Sequence, residues 1–415
     1  MRLTRTRVGA AAGALAVAGL TSLATAAAPA SAAPTADAAL GRYVVVLDAG
    51  TDAAAVASEH ARTLGVVTGH IYSSALDGYA AQLPAGVVPQ LENDPRVAYV
   101  QADRRVSATA QTTPTGVNRA NADASPTARI NGVDERVDVD VAVIDTGVDL
   151  DHPDLNVNRA KAKNCALALS ADDDHGHGSH VAGTIGAIDN GTGVVGVAPG
   201  ARIWPVKVLN VAGVGFTSDI VCGIDYVTAN AASIEVANMS LGGGGSDDGN
   251  CGRTDGDAEH EAICASVAAG VTYVVAAGND SADAANSAPA AYDEVITVSA
   301  LSDFNGLPGG GAASTCRSDV DDTFADYSNH GADVDLIAPG TCINSTWMNG
   351  GYNTISGTSM ASPHVAGGAA LFAATNPSAT PAQVKSALQS RGSLDWNDVD
   401  DPDPTKERLL DVGTL

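Results

Sequence analysis

The stretch Val137-Asp138-Val139-Asp140-Val141-Ala142-Val143-Ile144-Asp145 decides the fold. It alternates apolar and acidic residues and then runs apolar to Ile144, as a parallel strand buried on both faces does. Apolar segments recur at Ile203 to Leu209, Ser233 to Leu241, Val271 to Ala276, Val295 to Ala300 and Val334 to Ala338. Helical patterns lie among them at Gly178 to Asp189, Ser218 to Asn230, Asp257 to Ala269 and Gly357 to Ala374. Strands alternating with helices specify an α/β fold with a doubly wound, mostly parallel sheet. Ligands bind such sheets at the carboxyl ends of the strands, where Asp145, Ser240 and Asn279 fall.

Upstream, Arg42 to about Arg105 reads as a small α+β unit in the order β-α-β-β-α-β, a split βαβ of the ferredoxin-like kind. It has no cysteine and no catalytic cluster, so it looks like a removable pro-segment rather than an ordinary N-terminal domain. Ala108 to Ala128 is rich in Ala, Thr, Asn and Pro and reads as a linker and processing region. Residues 1–32 carry Arg2, Arg5 and Arg7, an apolar run, then Ala30-Ser31-Ala32, the layout of a secretory signal peptide.

The chain is acidic, with 22 Lys+Arg against 48 Asp+Glu and a formal charge of −26. That argues against nucleic acid or an anionic membrane as partner. Six cysteines in an exported chain suggest disulfides; fifteen pairings are possible, and pairing in sequence order gives 165–222, 251–264 and 316–342. The absence of CxxC weighs against a zinc or redox site.

Three blocks carry chemistry. Asp145-Thr146-Gly147 could belong to an aspartic protease, but no second such triplet is present to share its proton. His175-Gly176-His177-Gly178-Ser179-His180 lacks metalloprotease spacing and has no glutamate among its histidines. Gly357-Thr358-Ser359-Met360-Ala361-Ser362-Pro363 reads as a loop entering a helix at Ser359, with Pro363 in the first turn. A serine there sits where unpaired N–H groups and the helix dipole favour negative charge. An acid, a histidine and a serine together are what nucleophilic catalysis requires, since a hydroxyl needs a base and the base an orienting carboxylate.

With these blocks, Asn238-Met239-Ser240-Leu241-Gly242-Gly243 and Ala276-Ala277-Gly278-Asn279, the chain resembles a secreted subtilase with proteinase K-like features, from about Ala110 to Ala387. The resemblance implies a subtilisin-like catalytic domain and a serine endopeptidase. It makes Ser359 the nucleophile, His177 the general base, Asp145 its orienter and Asn279 an oxyanion donor. Peptide or protein substrate would lie as an extended strand between Gly213-Val214-Gly215 and Ser240-Leu241-Gly242. Leu241, Gly242 and Gly243 with Ala276, Ala277 and Gly278 would wall a first specificity pocket that takes hydrophobic side chains, and Asp280 would admit some basic ones.

The resemblance also implies a structural calcium site. Gln111, Asp154 and Asn190 would supply side-chain oxygens, and Ile188, Thr192 and Val194 carbonyls. The same residues fit a plain helix C-terminus at Asn190-Gly191. Residues 42–107 resemble the family's inhibitor-type propeptide, which would act as intramolecular chaperone and inhibitor, with cleavage after about Thr109 and a monomeric catalytic domain over 110–415. Gly244 to Cys264 and Asn305 to Asp322 depart from the family pattern as insertions, and the acidic stretch after Gln389 has no assigned role, a solvated terminus being its plainest reading. A catalytically silent binding or inhibitory protein, or a peptide ligase or macrocyclase, would share the scaffold; the filled catalytic positions stand against the first.

Overall fold

The computed structural model describes residues 40–103, 111–166 and 168–415, in two compact units divided along the chain after residue 107. The expected signal peptide and the expected cleavage point near Thr109 lie outside the described residues.

In the first unit, β1 (Gly41–Leu47), α1 (Ala53–Leu64), β2 (Val67–Ser73), β3 (Asp77–Leu83), α2 (Val88–Glu92) and β4 (Val97–Ala102) follow the expected order. The sheet order is β2-β3-β1-β4, with every pairing antiparallel. Helix α1 starts where the Asp52 side chain accepts from the Ala54 and Ala55 N–H groups, and ends at Gly65 in the left-handed conformation. Its buried face, with Val56 and Ala57, joins Val45, Leu47, Tyr79, Leu83 and Leu91 in one core.

The second unit comprises α3 (Thr115–Arg119), β5 (Asp140–Asp145), β6 (Lys163–Asn164), α4 (His177–Gly186), β7 (Arg202–Lys207), α5 (Thr217–Ala229), β8 (Val236–Met239) and β9 (Gly243–Gly244). It continues with α6 (Ala258–Ala268), β10 (Thr272–Ala276), β11 (Ser287–Ala288), β12 (Ile296–Ser302), β13 (Thr323–Phe324) and β14 (Leu336–Pro339). A hairpin of β15 (Ile343–Trp347) and β16 (Gly351–Ile355), then α7 (Thr358–Thr375) and α8 (Pro381–Arg391), complete it. The main sheet runs β13-β12-β10-β8-β5-β7-β6, with β14 also on β12, and only β13 is antiparallel.

Strand β5 shows why its sequence had to run apolar. Val141 and Val143 enter the core shared with Val181 and Ile185 of α4 and Val365 and Ala369 of α7. Ala142 and Ile144 enter the opposite core, with Ile224 of α5 and Ile263 of α6. Both faces are covered, as period-two alternation in a doubly wound sheet requires. From β5 the chain passes to β7 on one side and then to β8 on the other. Asp145 therefore stands at the switch point, where a crevice opens between diverging connections.

Four expectations need correction. The linker read over Ala108 to Ala128 is packed structure from residue 115 on: α3 forms there, and Val117, Ala120, Ala122 and Ala128 join the core. Helix α4 stops at Gly186, short of Asp189, because the returning loop takes its last carbonyls: Val197 N–H donates to Thr184, and Ala198 N–H to Ile185. Pro363 lies inside α7, beyond the first turn. Helix α7 is enclosed on all sides, and the freed Ser359 carbonyl finds a partner outside the helix, described below. The acidic tail is no solvated terminus: Trp396, Leu409, Leu410 and Val412 are buried, and the Asp403 carboxylate accepts from the Gly331 N–H at 2.8 Å. Its acidic residues bracket an apolar spine that the charge count obscured. The three disulfides pair in sequence order, Cys165–Cys222, Cys251–Cys264 and Cys316–Cys342.

Candidate active site

Asp145 closes β5 fully buried, and its Oδ1 lies 2.8 Å from Nδ1 of His177, the first residue of α4. The same oxygen accepts from the Thr146 N–H at 2.7 Å. The approach of β5 to α4 explains the glycines of both motifs. A Cβ on Gly178 would lie 2.0 Å from the Gly147 carbonyl, and Gly147 itself has φ 97°.

Asp173, which the sequence reading passed over, organises this end of α4. Its Oδ1 accepts from the His175 and Gly176 N–H groups and from the Thr146 hydroxyl. Its Oδ2 accepts from the Ser179 N–H at 2.9 Å and the Ser179 hydroxyl at 2.6 Å. This is an N-terminal cap supplied from the preceding loop, and its charge faces the imidazole. Burial pushes the His177 pKa down, but the Asp145 charge and hydrogen bond, with the Asp173 charge, outweigh it and raise it above 6.5. Behind them Lys207, fully buried at the end of β7, donates to the Thr146 carbonyl and to Asp174 Oδ1.

The three histidines of the motif diverge. His175 lines the cleft beside Gly213, and His177 meets Asp145. His180 turns inward to donate through Nε2 to the Ile343 carbonyl at 2.9 Å, and burial pushes its pKa down to about 3. Set apart in this way, they converge on no common ligand position.

Ser359 is the second residue of α7. Its hydroxyl donates to the Ser240 carbonyl at 3.3 Å, and the Ser240 hydroxyl donates to the Ser359 carbonyl at 2.9 Å. That carbonyl is free because Pro363, four residues on, has no N–H to offer it. The buried Asn238 amide donates to the Ser240 hydroxyl and accepts from Ser362, holding the group together. Asn279 accepts from the Thr358 N–H at 2.8 Å and its hydroxyl at 3.1 Å through Oδ1. This leaves the Nδ2 protons of Asn279 free to donate.

Two cavities flank these residues. One, of about 450 Å³, is lined by Leu241 to Gly244, Ala276 to Asp280, Thr358 and Ser359, and also by Asp283. The other, of about 470 Å³, is lined by His175, His177, Gly213 to Gly215 and Ser240 to Gly242. They share Leu241 and Gly242, so one cleft runs past both the imidazole and the serine. The expected cleft residues thus come together. The first cavity is less apolar than expected, because Asp283 joins Asp280 on its wall.

The expected calcium residues also gather in one place. Asp154 accepts from Asn190 Nδ2 at 2.9 Å and from the Val194 N–H at 3.0 Å. Gln111 donates to the Ile188 and Val194 carbonyls at 2.7 and 3.0 Å.

A doubly wound α/β scaffold with an extended cleft at its switch point, and an acid, an imidazole and a serine along it, defines a protein of the serine hydrolase class. Residues 137–401 match the model of the subtilase family, and residues 42–109 that of peptidase inhibitor I9. The chain is 40% identical over 336 residues to an extracellular serine proteinase of Thermus sp. (strain Rt41A), covering 79% of this chain and 74% of that one. It is 37% identical over 314 residues to subtilisin E of Bacillus subtilis (strain 168), covering 75% and 74% of the two chains. A solved structure of a cold adapted subtilisin-like serine proteinase superposes with a TM-score of 0.56 at 37% identity, covering 72% of this chain and 97% of that one. The chain belongs to the subtilase family and is a serine endopeptidase with an I9 inhibitor region ahead of its catalytic unit.

Proposed function

We propose that the protein is a secreted endopeptidase that cleaves its own N-terminal region and then protein substrates through an acyl-enzyme on Ser359. The observation that carries this reading is the 2.8 Å bond from His177 Nδ1 to the buried Asp145, on the same cleft as Ser359. Asp145 keeps the proton on Nδ1, so Nε2 presents a lone pair. Substrate displaces the Ser359 hydroxyl from its long contact with Ser240, and Nε2 takes the hydroxyl proton as Oγ attacks the scissile carbonyl. Asn279 Nδ2 and the Ser359 N–H donate to the oxyanion. The imidazolium returns its proton to the leaving amine, and water, activated the same way, releases the acyl group.

Export accords with the basic-apolar-small order of residues 1–32 and with three disulfides in one unit. Among the described residues no helix is long and apolar enough to cross a membrane. Residues 42–107 serve as the inhibitory pro-segment, removed near Thr109.

Calcium fits the Asp154 loop. Asp154 is buried, burial pushes its pKa up to about 6, and no cationic side chain pairs with it among the described residues. Gln111 points two N–H protons at carbonyls that a cation would draw in, and a Cβ on Gly193 would strike Asp154 Oδ2 at 2.4 Å. Asp154, Asn190, a turned Gln111 and the three carbonyls would hold the ion, which supplies rigidity rather than chemistry.

The test is intact mass of secreted wild type beside the Ser359→Ala precursor. Loss of the segment up to about Thr109 in wild type alone supports self-cleavage. Equal trimming of both removes it, and failure of a fluorophosphonate to label Ser359 removes the nucleophile assignment.

A further inference from the structure

The insertion between β9 and α6 builds a polar cluster whose residues are not among those lining the cleft. Asp248 organises its loop: Oδ1 accepts from the Asn250 and Gly252 N–H groups, and Oδ2 from those of Thr254 and Asp255. Cys251 ties the loop to α6 through Cys264, so neither sulfur is a free ligand. His260, in the first turn of α6, has a side chain only 1% exposed and stacks flat on Tyr292 at 3.9 Å. Its Nε2 lies 2.9 Å from Glu294 Oε2, while its Nδ1 has no hydrogen-bond partner. That Nδ1 faces Asp248 Oδ1 at 3.8 Å and Asp247 Oδ1 at 4.0 Å.

We propose that Asp247, Asp248 and His260 form a binding site for a divalent transition-metal ion such as zinc, with Glu294 orienting the imidazole. A proton on Nε2, shared with Glu294, leaves a lone pair on Nδ1 aimed at two carboxylates. Three acceptor atoms face one another there: the two carboxylate oxygens also accept backbone N–H groups of the loop, while the imidazole nitrogen has no donor. A cation resolves that arrangement, and a carboxylate behind the far nitrogen is how metal-binding histidines are commonly held. The three ligand atoms all lie within 4.8 Å of one another. Tetrahedral zinc with bonds of about 2.1 Å spaces its ligands by about 3.4 Å, so the two distances from His260 Nδ1 to the carboxylates shorten by about half an ångström when the site is filled. The Asp247 side chain is 19% exposed, so the site faces solvent on that side. One imidazole with two carboxylates is a donor set that zinc accepts. Asp247 is already braced, through Oδ1 by the Gly249 N–H and through Oδ2 by the Asp293 N–H, so the carboxylate is presented rather than loose.

The test is zinc uptake by the mature protein in excess calcium, read by equilibrium dialysis with elemental analysis and by the shift in Tm. Wild type should bind with a Tm increase that Asp247→Asn and His260→Gln both lose, with affinity falling about tenfold or more. Asp247→Asn keeps an acceptor oxygen for the loop and decides the matter if the buried His260 variant does not fold. Absence of zinc uptake by wild type, or uptake and Tm shift unchanged in Asp247→Asn, overturns the proposal.

Discussion

Ser240 and Ser359 hold each other by reciprocal hydrogen bonds, each hydroxyl donating to the other's carbonyl, at 2.9 and 3.3 Å. The pair ties the end of β8 to the start of α7, and it exists because Pro363 leaves the Ser359 carbonyl without an intrahelical donor. Ser240→Ala strands that carbonyl and one Asn238 N–H. The expected cost is about 1–3 kcal/mol of stability. Denaturant unfolding checks it. An accompanying fall in kcat with little change in KM is expected, because α7 carries Ser359, the proposed nucleophile. A variant as stable and as active as wild type would show that the pair is incidental.

Asp173 should reveal itself in the pH profile. The His177 pKa is raised in the fold by Asp145 and then Asp173. Its interaction with them favours the folded protein fully below about pH 6.5 and fades as pH rises through the folded value. The same raised value sets the acid limb of kcat/KM, since the base must be neutral. Asp173→Asn removes one of the two charges, so the acid limb should move to lower pH even as the weakened α4 cap lowers Tm. A merely structural role would lower Tm and leave the limb in place.

Calcium removal should act through the Asp154 loop. Chelation is expected to lower Tm of the mature protein, and Asp154→Asn should abolish most of that calcium dependence. The loop carries Thr192 and Val194, and Gln111 anchors the segment before α3 to it. Limited proteolysis should therefore cut near residues 111 and 188–194 first when calcium is withdrawn. Equal Tm with and without chelator would remove the ion from this site.

What was legible in the sequence followed from periodicity and motif. The β5 run could only be a doubly buried strand, and the order β-α-β-β-α-β of the first unit was readable, with Asp52 and Gly65 marking the ends of α1. The glycine-bracketed blocks carried Asp145, His177 and Ser359. What escaped notice was set by partners distant in sequence. Asp173 looks like one acid in a run of three, and its function depends on Thr146 and Ser179. Asn238 and Lys207 are polar residues inside apolar strands, and only the neighbouring strands show what they bond to. Helix α8 was missed although Thr380 and Gln383 form a capping box, because its pattern is weakly apolar. The tail's role was not legible because a high acidic count hid Trp396, Leu409 and Leu410.

Helix α8 owes much of its placement to Lys385. The ammonium donates to the Val295 carbonyl at 2.8 Å and the Asp293 carbonyl at 3.2 Å, and it lies 2.8 Å from Asp335 Oδ2. Burial pushes the Asp335 carboxyl up, and Lys385 holds it back. A folded pKa above the unfolded one means that Asp335 favours folding at low pH and loses that contribution as pH rises through its folded value. Lys385→Met removes the restraint, so the folded pKa should rise further and the anion should be left uncompensated at neutral pH. A loss of about 1–3 kcal/mol is expected there from the charged hydrogen bonds alone. It should shrink as pH falls from neutral and Asp335 takes up a proton, so that the ammonium is no longer needed to balance it. Tm of wild type and Lys385→Met across that range checks the idea. A difference that is constant with pH would reduce Lys385 to packing and carbonyl bonds.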